Sequence, residues 1–291
     1  MICKFSPPDK YGLFNLENRQ LYCRHFSELN DPFEFWSRFN SISGMPEESD
    51  DPKRFLDALK RWGFADKSEV DNEDLHTYFN TVKEDEVVFA PSYEQVRVTC
   101  FTSEPNNLLL WSHYADGLRG YCALFDPEII TEGPEKCVLV SVNYVDQPPK
   151  LDSFLYTIST DKLDYYLMAA DEAESSIRAG IESERDWLCT YQDEAHIAYN
   201  EIVEAWREAF ASKPLEWKYE NEQRLLIFSE GNGTEPIFYR YPSSALKEII
   251  IGEKMPDRSR EDLCDIIFDM YDDVIIRTAV RSQNAYAIEI A

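Results

Sequence analysis

Residues 98–126 read VTCFTSEPNNLLLWSHYADGLRGYCALFD, and the fold class is decided there. Residues 98–102 are β-branched and aromatic, which suits a pleated, half-buried strand. Pro105 stops that strand, and Asn106-Asn107 offers an N-cap to a helix over 108–115. The helix is apolar on most sides, which predicts a buried element holding Trp111, His113 and Tyr114 inside an apolar frame. Asp116-Gly117 ends it, and residues 120–125 return as a second apolar strand closed by Asp126-Pro127.

Strands and helices alternate outward from this unit without a repeat or a Gly-rich phosphate loop. Towards the N-terminus, strands are expected at 2–5 and 20–24, with a short helix over 9–18 between them. Residues 44–86 are acidic and helical. Phe55, Leu56 and Leu59 mark one apolar face, and Leu75, Tyr78, Phe79 and Val82 mark another at helical spacing. A short strand is expected at 87–89. After the central unit come a strand over 138–145 and one long or two consecutive helices over 160–211. Residues 216–228 read as polar alternation entering an apolar strand. Gly231-Asn232-Gly233 would turn it into a hairpin with residues 236–241. Strands at 246–252, 274–276 and 285–288 and a helix over 259–271 complete the pattern. The expected class is α+β, a mixed or antiparallel sheet in one domain spanning 1–291, with acidic helical insertions at about 44–86 and 160–211.

Composition narrows the partners. The chain has 291 residues, 44% apolar, enough for a substantial core. No apolar run approaches bilayer length and the N-terminus lacks the apolar core of a signal peptide, so a cytoplasmic, non-membrane protein is expected. Its seven cysteines are scattered without a Cys-x-x-Cys and its four histidines are dispersed, so buried thiols and no metal are expected. A net charge of −26 disfavours general nucleic-acid binding. Residues 161–208 carry 13 acidic and 4 basic side chains. The common reading is a solvated surface; the rarer one is an acidic face that docks a basic protein partner.

Three clusters hold candidate chemistry. In Leu29-Asn30-Asp31-Pro32-Phe33-Glu34, Asn and Asp side chains can accept from backbone amides across a turn that Pro fixes, with Phe33 plugging the core. The functional reading places Asn30, Asp31 and Glu34 on a pocket rim; the plain one is a rigid turn. In Trp111-Ser112-His113-Tyr114, the plain reading is a core histidine among packing aromatics. In Tyr219-Glu220-Asn221-Glu222-Gln223-Arg224, an extended backbone would point Glu220, Glu222 and Arg224 to one face. Arg224 would then hold a carboxylate ionised and oriented to stabilise a cationic transition state or accept a proton. Spacing alone favours a surface ion-pair ladder contributing little to stability.

The same three motifs, LNDPFE at 29–34, CFTSEPNNLLLWSHYADGLRGYCALF at 100–125 and WKYENEQRLL at 217–226, resemble in order a bacterial family known as domain of unknown function 2971. The departures are Lys4-Phe5-Ser6 where that family has Tyr-Arg after the first strand, Leu29 for Phe and Gln223 for Trp. The family name carries no activity. The 98–126 unit and the later segments 221–228 and 246–251 are also similar in pattern to the ADP-ribosyltransferase superfamily, which implies a split sheet and NAD as substrate. That resemblance implies that Glu222 stabilises the ribose oxocarbenium ion and that Glu220 orients the acceptor; His113 is a third catalytic candidate. Ser103 falls where a Ser-Thr-Ser element would lie, and Trp111 or Tyr114 would stack on nicotinamide. The superfamily's first-strand Arg or His has no direct counterpart, and Lys4 and Arg24 are its candidates. The expected function is an ADP-ribosyltransferase-like effector of bacterial or phage conflict acting on a macromolecular acceptor. The alternatives are a non-enzymatic acidic interaction protein and a metal nuclease.

Overall fold

The computed structural model describes residues 1–39, 41–86, 90–229 and 233–291. The strand expected at 87–89 and the first two residues of the Gly231-Asn232-Gly233 turn lie outside them. The chain divides into two compact units, one of residues 1–34, 93–147 and 211–291, the other of residues 35–92 and 148–210.

The first unit is α+β, built on an eight-stranded mixed sheet. From edge to edge the strands are Ile288–Ile290, Ile275–Arg281, Leu246–Gly252, Tyr121–Phe125, Ile2–Ser6, Val96–Thr102, Glu222–Phe228 and Cys137–Ser141. Within this sheet, among the described residues, only Leu246–Gly252 and Ile275–Arg281 pair in parallel, and the helix Asp257–Met270 makes the crossover that a parallel pair requires. Period-two alternation explains the unbroken Ile249-Ile250-Ile251: Ile249 and Ile251 pack into one core layer, and Ile250 into the layer with Cys3, Trp111 and Leu124 on the other face.

Two close approaches fix the end of the 98–126 unit. Asp116, Gly117 and Leu118 run consecutively at φ 47°, 61° and 71°, in the left-handed region. This turn carries the Leu118 carbonyl against Gly252, where a Cβ would meet its oxygen at 2.1 Å. At Gly120 a Cβ would meet the Ser6 oxygen at 2.1 Å, so the backbones close only over glycine.

Several local expectations are corrected. The 138–145 segment breaks at Val142, whose N–H goes to the Glu222 carbonyl (2.9 Å), and Asn143–Val145 pairs in parallel with Ser212–Pro214. The 236–241 segment does not form a hairpin with the preceding strand. Both edges of Glu222–Phe228 are already paired, and Ile237–Arg240 pairs with Gln20–Cys23 instead. Residues 215–220 are a 3-10 helix rather than an extended approach, because Asn221 adopts φ 42°, ψ 52°, a conformation Asn tolerates. The helix Leu108–Tyr114 is half-buried. Leu110 and Trp111 are buried, while Leu108, Leu109, His113 and Tyr114 are exposed. Phe33 is 49% exposed and plugs no core; the buried aromatic nearby is Phe35.

The second unit is helical: Pro52–Trp62, Asn72–Glu84, Ser153–Arg178 and Glu184–Phe210. Asp51 caps the first of these with Pro52 at its opening turn, and Gly63 closes it in the left-handed region. Phe55, Leu59, Leu75, Phe79 and Val82 pack with Phe154 and Ile158 into one core, as their spacing predicts. The 160–211 region is two helices that turn at Gly180, φ 95°. Among the described residues no helix is long and apolar enough to cross a membrane.

Candidate functional site

The three motifs meet in the first unit, on one charge cluster. Glu222 opens its strand opposite Thr102, and Arg224 lies two residues on, opposite Cys100. Period two puts both side chains on one face, and Arg224 Nε donates to Glu222 Oε1 at 2.8 Å, the pairing expected from the spacing. The guanidinium's other two nitrogens donate to Glu34, Nη1 to Oε2 and Nη2 to Oε1, both at 2.7 Å. Lys213 Nζ then donates to Glu220 Oε2 and Glu222 Oε2, each at 2.8 Å, and lies 3.9 Å from Glu34 Oε1.

The cluster is buried, not the surface ladder that spacing favoured. Arg224 is fully buried, and the side chains of Glu34, Lys213, Glu220 and Glu222 are at most 6% exposed. Because Asn221 breaks the extended backbone, Glu220 is not aligned with Glu222 by strand periodicity; Lys213 draws the two carboxylates together from the strand Ser212–Pro214. The Trp217 ring lies 4.8 Å from Lys213 Nζ. Tyr144 sits opposite Lys213 in register, and its hydroxyl accepts the Glu222 backbone N–H at 2.8 Å.

Burial raises the cost of every charge here, and the partners answer it unequally. For Glu222, burial pushes the carboxyl up, but Arg224 and Lys213 outweigh it and hold the group at about 2. For Glu34, burial wins over the pull of Arg224 and Lys213, and its affinity for a proton rises. Lys213 is opposed by burial and by Arg224, yet the three glutamates hold its ammonium more firmly than usual. With all five side chains ionised, three carboxylates face two cations, a formal excess of one negative charge.

The cluster reaches the surface through Tyr114. Its hydroxyl donates to Glu220 Oε1 at 2.8 Å and accepts from Asn30 Nδ2 at 3.4 Å. Burial and the Glu220 carboxylate push its phenol up, so it stays a donor at neutral pH. Around this edge, Asn107 Nδ2 donates to the Tyr219 carbonyl at 2.7 Å, and Asn221 Nδ2 donates to Ser103 Oγ at 2.6 Å. Asp31 Oδ1 accepts the Phe33 N–H at 2.9 Å, the expected turn bond, while its buried Oδ2 has no hydrogen-bond partner among the described residues.

Glu34, Glu220, Glu222, Arg224, Tyr114 and Asn30 are therefore brought together, with Asp31 next to Asn30 in the chain and Ser103 held by Asn221. The rest are not. Trp111 is fully buried, its indole N–H on the Pro105 carbonyl and its ring edge-on to Phe5, so it has no face for a nicotinamide. His113 is exposed rather than a core histidine. Arg24 is exposed beside the Tyr22 ring. Lys4 pairs opposite Ala123, on the sheet face away from Cys3, Thr102 and Glu222.

Sequence reasoning missed Lys213, Tyr144 and Trp217. Lys213 directly precedes Pro214, where the chain leaves its helices, and nothing in that position marks it as the bridge between two glutamates. Among the described residues no group of three or more His, Cys, Asp or Glu side chains is placed to hold a metal. No family model, no curated protein and no solved structure matches the chain.

Proposed function

We propose that the chain is an ADP-ribosyltransferase-like enzyme that takes NAD as its substrate at the Tyr114–Asn30 edge of the charge cluster. The observation that carries this reading is the convergence of the three motifs on Glu34, Tyr114, Glu220, Glu222 and Arg224, with Glu34 and Arg224 meeting across 190 positions. Breaking the nicotinamide–ribose bond sends the electron pair to nicotinamide and leaves positive charge on the ribose carbon. An acceptor then adds there and gives up its proton. A preorganised site with one excess negative charge, shielded from water, favours that developing cation. Glu222 contributes through the field, since both its oxygens are bridged by cations; Glu220 contributes through Tyr114, which is exposed and donates to it. Asp31 Oδ2, buried and without a partner among the described residues, is an acceptor available to a ligand hydroxyl or amide.

One observation favours a second reading, the non-enzymatic interaction protein. Every carboxylate of the cluster is nearly sealed and paired within the protein, as in a structural clamp. The acidic helices would then be the working surface. A metal nuclease needs carboxylates free to share a cation, and here Lys213 and Arg224 fill that place.

Nicotinamide release from NAD, with water as acceptor, separates the readings. The enzyme reading predicts saturable turnover by the wild type, reduced about tenfold or more in a folded Tyr114→Phe variant. A well-folded wild type that neither binds nor cleaves NAD overturns it in favour of the interaction protein.

A further inference from the structure

A second polar site lies on the other face of the same sheet, away from the charge cluster. A cavity of about 60 Å³ is lined by Lys4, Asn15, Leu16, Gln20, Phe125 and Tyr241, among others. Lys4 comes from the strand Ile2–Ser6, Asn15 and Leu16 from the helix Lys10–Glu17, and Gln20 from the strand Gln20–Cys23.

Lys4 is the anomaly in this cavity. An ammonium has three N–H donors and no acceptor. Nζ donates to the Cys100 carbonyl at 3.1 Å and lies 5.5 Å from the Phe101 ring. Among the described residues, no carboxylate oxygen lies within the 4 Å of an ion pair. Lys4 is part-buried, and the first unit gives its fully buried cations more partners. Arg224 and Lys213 each face carboxylates, and Arg97 donates to the carbonyls of Glu94, Val96, Gly233 and Glu235. In a chain with 55 acidic side chains, a cation left without a counter-ion beside a cavity does not follow from any shortage of acid. Drawing such a charge partly out of water without a counter-ion carries a cost, and a ligand that supplies the missing negative charge offsets it. Desolvation lowers the Lys4 pKa and Arg24 adds to this, against Cys100, Cys23 and Glu222.

We propose that this cavity binds a small monocarboxylate, with Lys4 Nζ as its counter-cation. Leu16, Leu21, Ala123 and Phe125 offer an apolar wall to a short alkyl chain. The amide pair Gln20 Nε2 to Asn15 Oδ1 (3.0 Å) lines the same cavity. The volume equals roughly four to six water-sized spheres in a pocket open to solvent on one side, which suits a short chain. The site is independent of the transferase reading, because Lys4 and Glu222 lie on opposite sheet faces.

Calorimetric titration of the full chain with acetate, propionate and butyrate, beside neutral propionamide, tests the proposal. One saturable site for a carboxylate is expected, with propionamide weaker by about tenfold or more. Lys4→Met should lose a similar factor, while Lys10→Met, at an exposed lysine on the adjacent helix, should leave affinity unchanged. Absence of carboxylate binding to the wild type, equal affinity for propionamide, or unchanged binding by a folded Lys4→Met would overturn it. If Lys4→Met does not fold, the contrast between propionate and propionamide on the wild type decides.

Discussion

Two sets of Glu–Arg pairs in this molecule use the same side chains to different ends. On the long helices of the second unit and the turn between them, Glu174–Arg178, Glu182–Arg185 and Glu204–Arg207 are neighbours three or four residues apart and largely exposed. In the first unit, Arg224 gathers Glu34 from 190 positions away and Glu222 from two, all out of water. The helical pairs lose little hydration and gain little, because solvent screens them. The sheet cluster has given up hydration on five groups, so each charge depends on the others staying in place. Chain distance and burial, not the chemistry of the pair, decide what such a contact contributes.

The largest test of that contrast is Arg224→Met. It leaves Glu34 and Glu222 buried with only Lys213 for company, and urea titration should show a loss of about 3–5 kcal/mol. A loss below about 1 kcal/mol would erase the distinction. Next comes pH. Glu222 has its folded pKa depressed from 4.5 to about 2, so its contribution is present above pH 4.5 and disappears as pH falls towards 2. Its ceiling is about 3 kcal/mol. Glu34, with a raised pKa, has the opposite sign: its ionised form costs stability, and protonation on acidification relieves that cost. Denaturant titrations between pH 5 and about 2 should therefore show a smaller dependence in Glu222→Gln than in the wild type. Tyr114→Phe removes one partly exposed bond to Glu220 and should cost about 1 kcal/mol. At the small end, Glu174→Gln should cost under about 0.5 kcal/mol, and molar salt should abolish even that.

Much of the fold was legible because it rests on local signals. The strand–helix–strand over 98–126, the Asn107 cap and the apolar faces of Pro52–Trp62 and Asn72–Glu84 follow from spacing and capping chemistry. Pairing was less legible. Residues 236–241 carry a hairpin pattern, but the preceding strand had both edges occupied by segments that nothing nearby announces. In the site, the Glu222–Arg224 contact was visible from period two, whereas burial was not. A Glu-x-Arg reads the same on a surface ladder and inside a core. What settles its environment is Glu34 and Lys213, delivered by the LNDPFE turn and by the register of Ser212–Pro214 against Asn143–Val145. Asn221, one residue in the left-handed region, displaced Glu220 from the predicted face; Lys213 restored its proximity to Glu222.

The most direct measurement is a double-mutant cycle on Glu34 and Arg224, using Glu34→Gln, Arg224→Met and the pair, read by urea unfolding at neutral pH. A bidentate contact sealed from water predicts a coupling of about 2 kcal/mol or more between residues 190 positions apart. A coupling near zero, with both single variants folded, would mean that these side chains do not meet, and the convergence of the three motifs would fall with it.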